Sequence, residues 1–115
     1  SGGGVERAFL ARHGRSLSMT EIVARARDSQ SPDPDCVAAF ERFLDDFGRC
    51  LGGLISVLDP DVVVLGGGLS QIAELHTQGV ARVRRYAFHE NVTTPIVKNI
   101  LGDSAGVFGA AWIGV

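Results

Sequence analysis

The run VVVLGGGLS, residues 62–70, limits what this chain can fold into more than any other stretch. Val62, Val63, Val64 and Leu65 are apolar without alternation, the pattern of a strand covered on both faces, as in a parallel sheet. They run directly into Gly66-Gly67-Gly68. Each glycine loses more conformational freedom on folding than any other residue. Three in succession therefore mark a place where bare backbone is needed.

The rest of the chain supplies helices for such a strand to pack against. SGGGVERAFLARHG reads as a glycine turn feeding a helix from Val5 to His13, stopped by Gly14. Ser18 and Glu21 have capping-box spacing, with Ile22, Val23 and Ala26 facing inward from the helix that follows. Residues 29–35, a polar stretch with prolines, form a loop. From Pro34 to Leu58, residues Phe40, Phe43, Leu44, Phe47, Leu51, Leu54, Ile55 and Leu58 recur at helical spacing on one buried face. Gly48, Gly52 and Gly53 interrupt it at about 1 kcal/mol each relative to alanine, tolerable where another backbone comes close. Asp59-Pro60-Asp61 ends the helix.

After the glycine turn a helix is predicted over Ala73 to Phe88, its register blurred by Gly79. Residues 94–101 read as a second strand, and a small-residue helix closes the chain, capped by Asp103 or Ser104. Strand, helix, strand makes one right-handed crossover with parallel strands. Two such strands do not make a sheet that stands alone. The pattern is α/β, helices followed by a β-α-β-α unit, and it reads as part of a larger domain.

Composition narrows the function classes. Fifteen of the 115 residues are glycine, nearly twice the usual share of about 7%. Net charge is -2 and the eleven basic residues are scattered, which argues against nucleic-acid binding; Arg82, Arg84 and Arg85 read as a solvated helix face. Cys36 and Cys50 form no zinc or disulfide pattern and read as small buried hydrophobes. Trp112 reads as core. His13, His76 and His89 read as surface residues. No apolar run approaches about 18 residues and no signal peptide opens the chain, so no membrane partner and a reducing, cytoplasmic setting are expected.

Several readings compete for Gly66-Gly67-Gly68. A dinucleotide fingerprint would use Gly66 and Gly68, but Gln71 stands where its third glycine belongs, and Glu90 follows a helix rather than a strand. A P-loop needs a lysine that is not there. A tight turn without a ligand is the plainest option. The remaining one is a nucleotide seat: glycine peptide can lie against a purine or ribose and offer amides to phosphate. Open α/β sheets bind ligands at the carboxyl ends of their strands.

LDPDVVVLGGGLS, followed by TPIVKNILGDSAGVFGAAWIG, resembles the carboxyl-terminal end of ROK-family sugar kinases, nearest the fructokinase and N-acetylglucosamine/N-acetylmannosamine kinase branches. SGGGVERAF is similar to their Ser-Gly-Pro-Gly turn, so the resemblance covers nearly the whole chain. It implies a partial RNase H-like domain of the actin/hexokinase/Hsp70 superfamily, with ATP and sugar meeting between two domains. By that resemblance Gly66, Gly67, Gly68 and Leu69 would line adenine and ribose. Gly2 and Gly3 would approach the nucleotide from its other side, unless they only start a helix. Asp103 would reach magnesium or phosphate, unless it only caps the last helix. Gly106 and Gly109 would let that helix pack closely on the sheet.

The family's DxGGT-type phosphate loop, its catalytic aspartate, its sugar-contacting Glu-Asn-Asp set and its zinc motif have no counterpart in residues 1–115. The expectation is the ATP-side, carboxyl-terminal part of a sugar kinase that moves the γ-phosphoryl group of MgATP to a hexose or N-acetylhexosamine. Sugar and zinc would be held outside this chain, which would not turn over on its own. The alternative is the effector-domain segment of a ROK-type sugar-responsive transcriptional repressor. A homo-oligomer, pairing through an open strand edge, is a further possibility.

Overall fold

The computed structural model describes residues 2–87 and 93–99. Its elements are α1 (Gly2–His13), α2 (Met19–Ala26), α3 (Pro34–Leu58), β1 (Val63–Leu65), 3-10 turns at Gly68–Gln71 and Ala73–His76, α4 (Gln78–Tyr86) and β2 (Ile96–Lys98). The expected helix after β2 lies outside the described residues, with Gly106, Gly109 and Trp112. The chain divides between Asp46 and Phe47 into two compact units.

The first unit gathers Phe9, Ile22, Cys36 and Ala39 into a core, with Val5, Leu17 and Ala26 packed against it. Helix α1 begins at Gly2 rather than Val5. Its glycines wind into the first turn because Val5 and Phe9, one turn apart, anchor the helix to the core, and packing outweighs propensity. Gly14 ends it as expected, at φ 66°, its N–H donating to Leu10 O at 2.8 Å. The capping box of α2 is present. Ser18 Oγ accepts from Glu21 N–H at 3.2 Å, and Glu21 Oε1 accepts from Ser18 N–H at 3.4 Å. Ile22 and Val23 are buried.

Asp33, within the polar stretch 29–35, organises the start of α3. Its Oδ1 accepts the N–H groups of Asp35 at 3.1 Å and Cys36 at 3.4 Å, while Pro34 takes the first helical position, where no N–H is needed. Its Oδ2 accepts from Arg15 Nη2 at 2.6 Å and lies 4.0 Å from Arg25. The Arg15 hydrogen bond is the main cause that holds this carboxyl well below 3.8, at about 2. Asp35 meets Arg15 and His13, each at 3.5 Å. His13 is therefore not the surface residue expected: its side chain is 17% exposed and packs against Phe9, ring centroids 4.7 Å apart. Burial pushes the Cys36 thiol up. Cys36 is buried as expected, but Cys50 is exposed.

In the second unit α4 packs on α3 through glycine. A methyl group on Gly48 would sit 2.5 Å from Arg82 Cβ and 2.7 Å from Arg82 carbonyl carbon; one on Gly52 would sit 2.8 Å from Val83 O. Residues 48 and 52 stack on one helix face, so the two helix backbones meet there. Gly79 answers from α4, where the Phe47 ring fills the space beside it. Gly53 faces open space. Ile55, Leu75 and Val83 are buried, whereas Leu54 and Leu58 are exposed, against expectation. Close packing centres on Gly48, Gly52 and Ile55, and Leu54 lies about a third of a turn away from that line. Asp59, at φ 46°, turns the chain out of α3.

β1 and β2 pair in parallel with Val63 opposite Ile96, Val64 opposite Val97 and Leu65 opposite Lys98. The strand is not covered on both faces: Val64 is 57% and Val97 42% exposed, and as register partners they share a face. Val62 precedes the strand and is exposed. The helix expected over Ala73 to Phe88 is instead the 3-10 turn Ala73–His76 followed by α4, with Phe88 outside the described residues. The break falls at Thr77, whose φ -117° and ψ -79° depart from helical values, and extended backbone at Ile72, φ -75° and ψ 110°, separates this turn from the earlier one at Gly68–Gln71. Among the described residues, no helix is long and apolar enough to cross a membrane.

Candidate functional site

Gly66, Gly67 and Gly68 follow β1 at its carboxyl end and are exposed. Gly67 has φ 77° and ψ -179°, a combination open essentially to glycine only. That answers part of what the glycines are for: the turn itself requires one of them. It does not account for Gly68, where an added methyl group would meet nothing within 4 Å, nor for Gly66, where it would lie 3.6 Å from Asn99 Nδ2.

The turn is tied down from beneath. Gly67 O accepts from Ser70 Oγ at 2.6 Å and from Ser70 N–H at 3.2 Å. Ser70 O accepts from His76 Nε2 at 2.7 Å. A carbonyl can only accept, so Nε2 carries the proton. His76 is thus a half-buried partner of the turn and not a surface histidine. No peptide bond here is cis, and in a planar trans peptide C=O and N–H point in opposite directions. Gly67 O turned inward to Ser70 therefore turns the Gly68 N–H outward. Leu69 is half-buried, and its carbonyl accepts from Ile72 N–H at 3.0 Å.

The end of β2 joins the turn: Asn99 N–H donates to Leu65 O at 2.8 Å. This brings the Asn99 side chain beside Gly66 and Lys98 opposite Leu65. Of the residues singled out from sequence, Gly66, Gly67, Gly68 and Leu69 form one contiguous turn. Gly2 and Gly3 belong to the other unit, where they open α1. Asp103, His89 and Glu90 lie outside the described residues. Asn99 and Ser70 carry no signal in the sequence that marks them for the site, with only the strand ahead of Asn99 pointing toward it, and His76 reads from sequence as a surface residue although it bonds to Ser70 O. Among the described residues there is no cluster of His, Cys, Asp and Glu that could hold a metal ion.

Residues 1–114 match the ROK family. The chain belongs to that family. An N-acetyl-D-glucosamine kinase of Yersinia enterocolitica is 36% identical over 113 residues, 98% of this chain and 36% of that protein. Another from Photobacterium profundum is 32% identical over 115 residues, 37% of its length. A ROK hexokinase from Thermus thermophilus has the same fold over 97% of this chain and 38% of its own, with a TM-score of 0.81 and 27% identity. This ROK chain therefore spans little more than a third of its curated relatives' length. Its helices and two parallel strands correspond to a part of the ROK hexokinase fold.

Proposed function

We propose that this ROK chain is the ATP-side, carboxyl-terminal part of a cytoplasmic sugar kinase, and that Gly66–Leu69 seats the adenosine of MgATP. One observation carries the reading: an exposed glycine turn at the carboxyl end of a parallel strand, in a ROK chain similar to N-acetyl-D-glucosamine kinases. The residues fit the group. At Gly68 bare peptide faces open space, as a flat purine or ribose requires, and the outward Gly68 N–H and the nearby Asn99 amide suit the acceptor atoms of a nucleoside. Bound MgATP would supply the phosphoryl group for a hexose or N-acetylhexosamine hydroxyl. The part played by this chain is to hold and orient the nucleotide, and phosphoryl transfer depends chiefly on such positioning. Asp103 would serve the magnesium. The kinases among the relatives favour this over a sugar-responsive repressor.

The test separates ligand from fold by using two neighbouring glycines. Gly67→Ala strains the turn, by about 1–3 kcal/mol. Gly68→Ala meets neither a clash nor a positive φ, so it keeps the stability of the parent chain while placing a methyl group where the nucleoside would lie. ATP titration followed by amide NMR should shift Gly66 to Leu69, and Gly68→Ala should weaken binding without lowering the melting temperature. Shifts centred elsewhere, or undiminished binding by Gly68→Ala, would overturn the seat.

A further inference from the structure

Ser70 is 3% exposed, the buried polar side chain among the described residues. A lone buried hydroxyl needs a reason, and here two donors converge on a single acceptor. The Oγ–H at 2.6 Å and the N–H at 3.2 Å both reach Gly67 O. The carbonyl of Ser70 is held in turn by His76 Nε2 at 2.7 Å. His76 closes the second 3-10 turn, so this chain of bonds ties the two turns together beneath the glycines.

We infer that Ser70 and His76 are positioning residues, a latch that fixes the Gly67–Gly68 peptide plane in the orientation the nucleotide meets. This rests on reading Gly66–Leu69 as the nucleotide seat. Three consecutive glycines left to themselves sample many backbone conformations, and ordering them on binding would weaken affinity. Clamping Gly67 O removes that freedom beforehand and keeps the Gly68 N–H on the outer side. Neither side chain touches the nucleotide; both act through Gly67.

Three variants of the full chain test the latch: His76→Ala, which removes the donor, His76→Gln, whose amide N–H reaches a similar point, and Ser70→Ala, which removes only the hydroxyl. ATP affinity is read by calorimetry, and hydrogen exchange of the residue 70 amide by NMR. His76→Ala and Ser70→Ala should bind ATP about three- to tenfold more weakly, the worth of one hydrogen bond. Exchange of the residue 70 amide, which donates to Gly67 O, should quicken while the amides around Ile22 stay unchanged, and His76→Gln should restore both readouts. Ser70→Ala decides the matter if His76→Ala does not fold. Equal ATP affinity in folded variants and parent, or no rescue by glutamine, would overturn the latch and leave the seat standing. A parent chain that binds no ATP would remove the seat, and the latch with it.

Discussion

At Asp33 one carboxylate has two tasks, since one oxygen caps α3 and the other accepts from Arg15. The same convergence makes the first unit sensitive to acid. The carboxyl is held at about 2 in the fold against an ordinary 3.8, so the folded state favours its charged form. That contribution is complete above the ordinary value and is lost as pH falls through about 2. Arg15→Met removes the largest cause and should move the Asp33 titration, read from its carboxyl carbon by NMR, upward toward 3.8. Acid unfolding of the first unit should then depend less steeply on pH across that window. An unmoved Asp33 midpoint in Arg15→Met would show that the two backbone N–H groups, rather than the guanidinium, hold the charge. Asp28 shows the smaller version of the effect: the N–H groups of Ser31 and Gln30 lower its pKa.

Helix α3 shows what a single element can and cannot reveal about its surroundings. Its bounds, Pro34–Leu58, follow from local chemistry: a proline suited to the first turn, an apolar face at helical spacing and an Asp-Pro stop. Gly48 and Gly52 were legible as points of close approach, whereas Gly53, read the same way, faces open space. Which glycine meets which partner was not legible, since α4 is brought to Gly48 and Gly52 by tertiary packing. The same limit hid Leu54 and Leu58, whose exposure depends on where α4 sits. In the site, Gly66–Gly68 stood out because their backbone requirement is written locally. Asn99 and His76 did not, because each reaches the turn from a separate segment. The three glycines of α3 accordingly differ in what alanine does to them. Gly53→Ala gains helix propensity with no contact to disturb and should stabilise the chain by up to about 1 kcal/mol. Gly48→Ala must push α4 away from its Arg82 backbone and should destabilise by about 1–3 kcal/mol. Urea denaturation of the two variants measures both; equal effects at the two positions would mean that α3 and α4 do not meet through glycine.

At the scale of the whole molecule, the described strands make a sheet of only two, below the three or more that a sheet needs to stand alone. Val64 and Val97 lie exposed on one of its faces. The chain covers 36% of a curated relative and 38% of the ROK hexokinase structure. A kinase needs its nucleotide held, its sugar oriented and a base beside the attacking hydroxyl, and the last of these contributes about 10²- to 10⁴-fold by itself. On the proposed reading the chain serves the first task, and its sequence has no DxGGT loop or matching catalytic aspartate for the others. Binding and turnover should therefore separate. Mixed with MgATP and N-acetylglucosamine, the chain should shift its Gly66 to Leu69 amides yet form no sugar phosphate above the uncatalysed level by phosphorus NMR. Sugar-dependent release of ADP, abolished by Gly68→Ala, would place a base and a sugar site within these 115 residues and would require the division of labour proposed for the family's two domains to be redrawn.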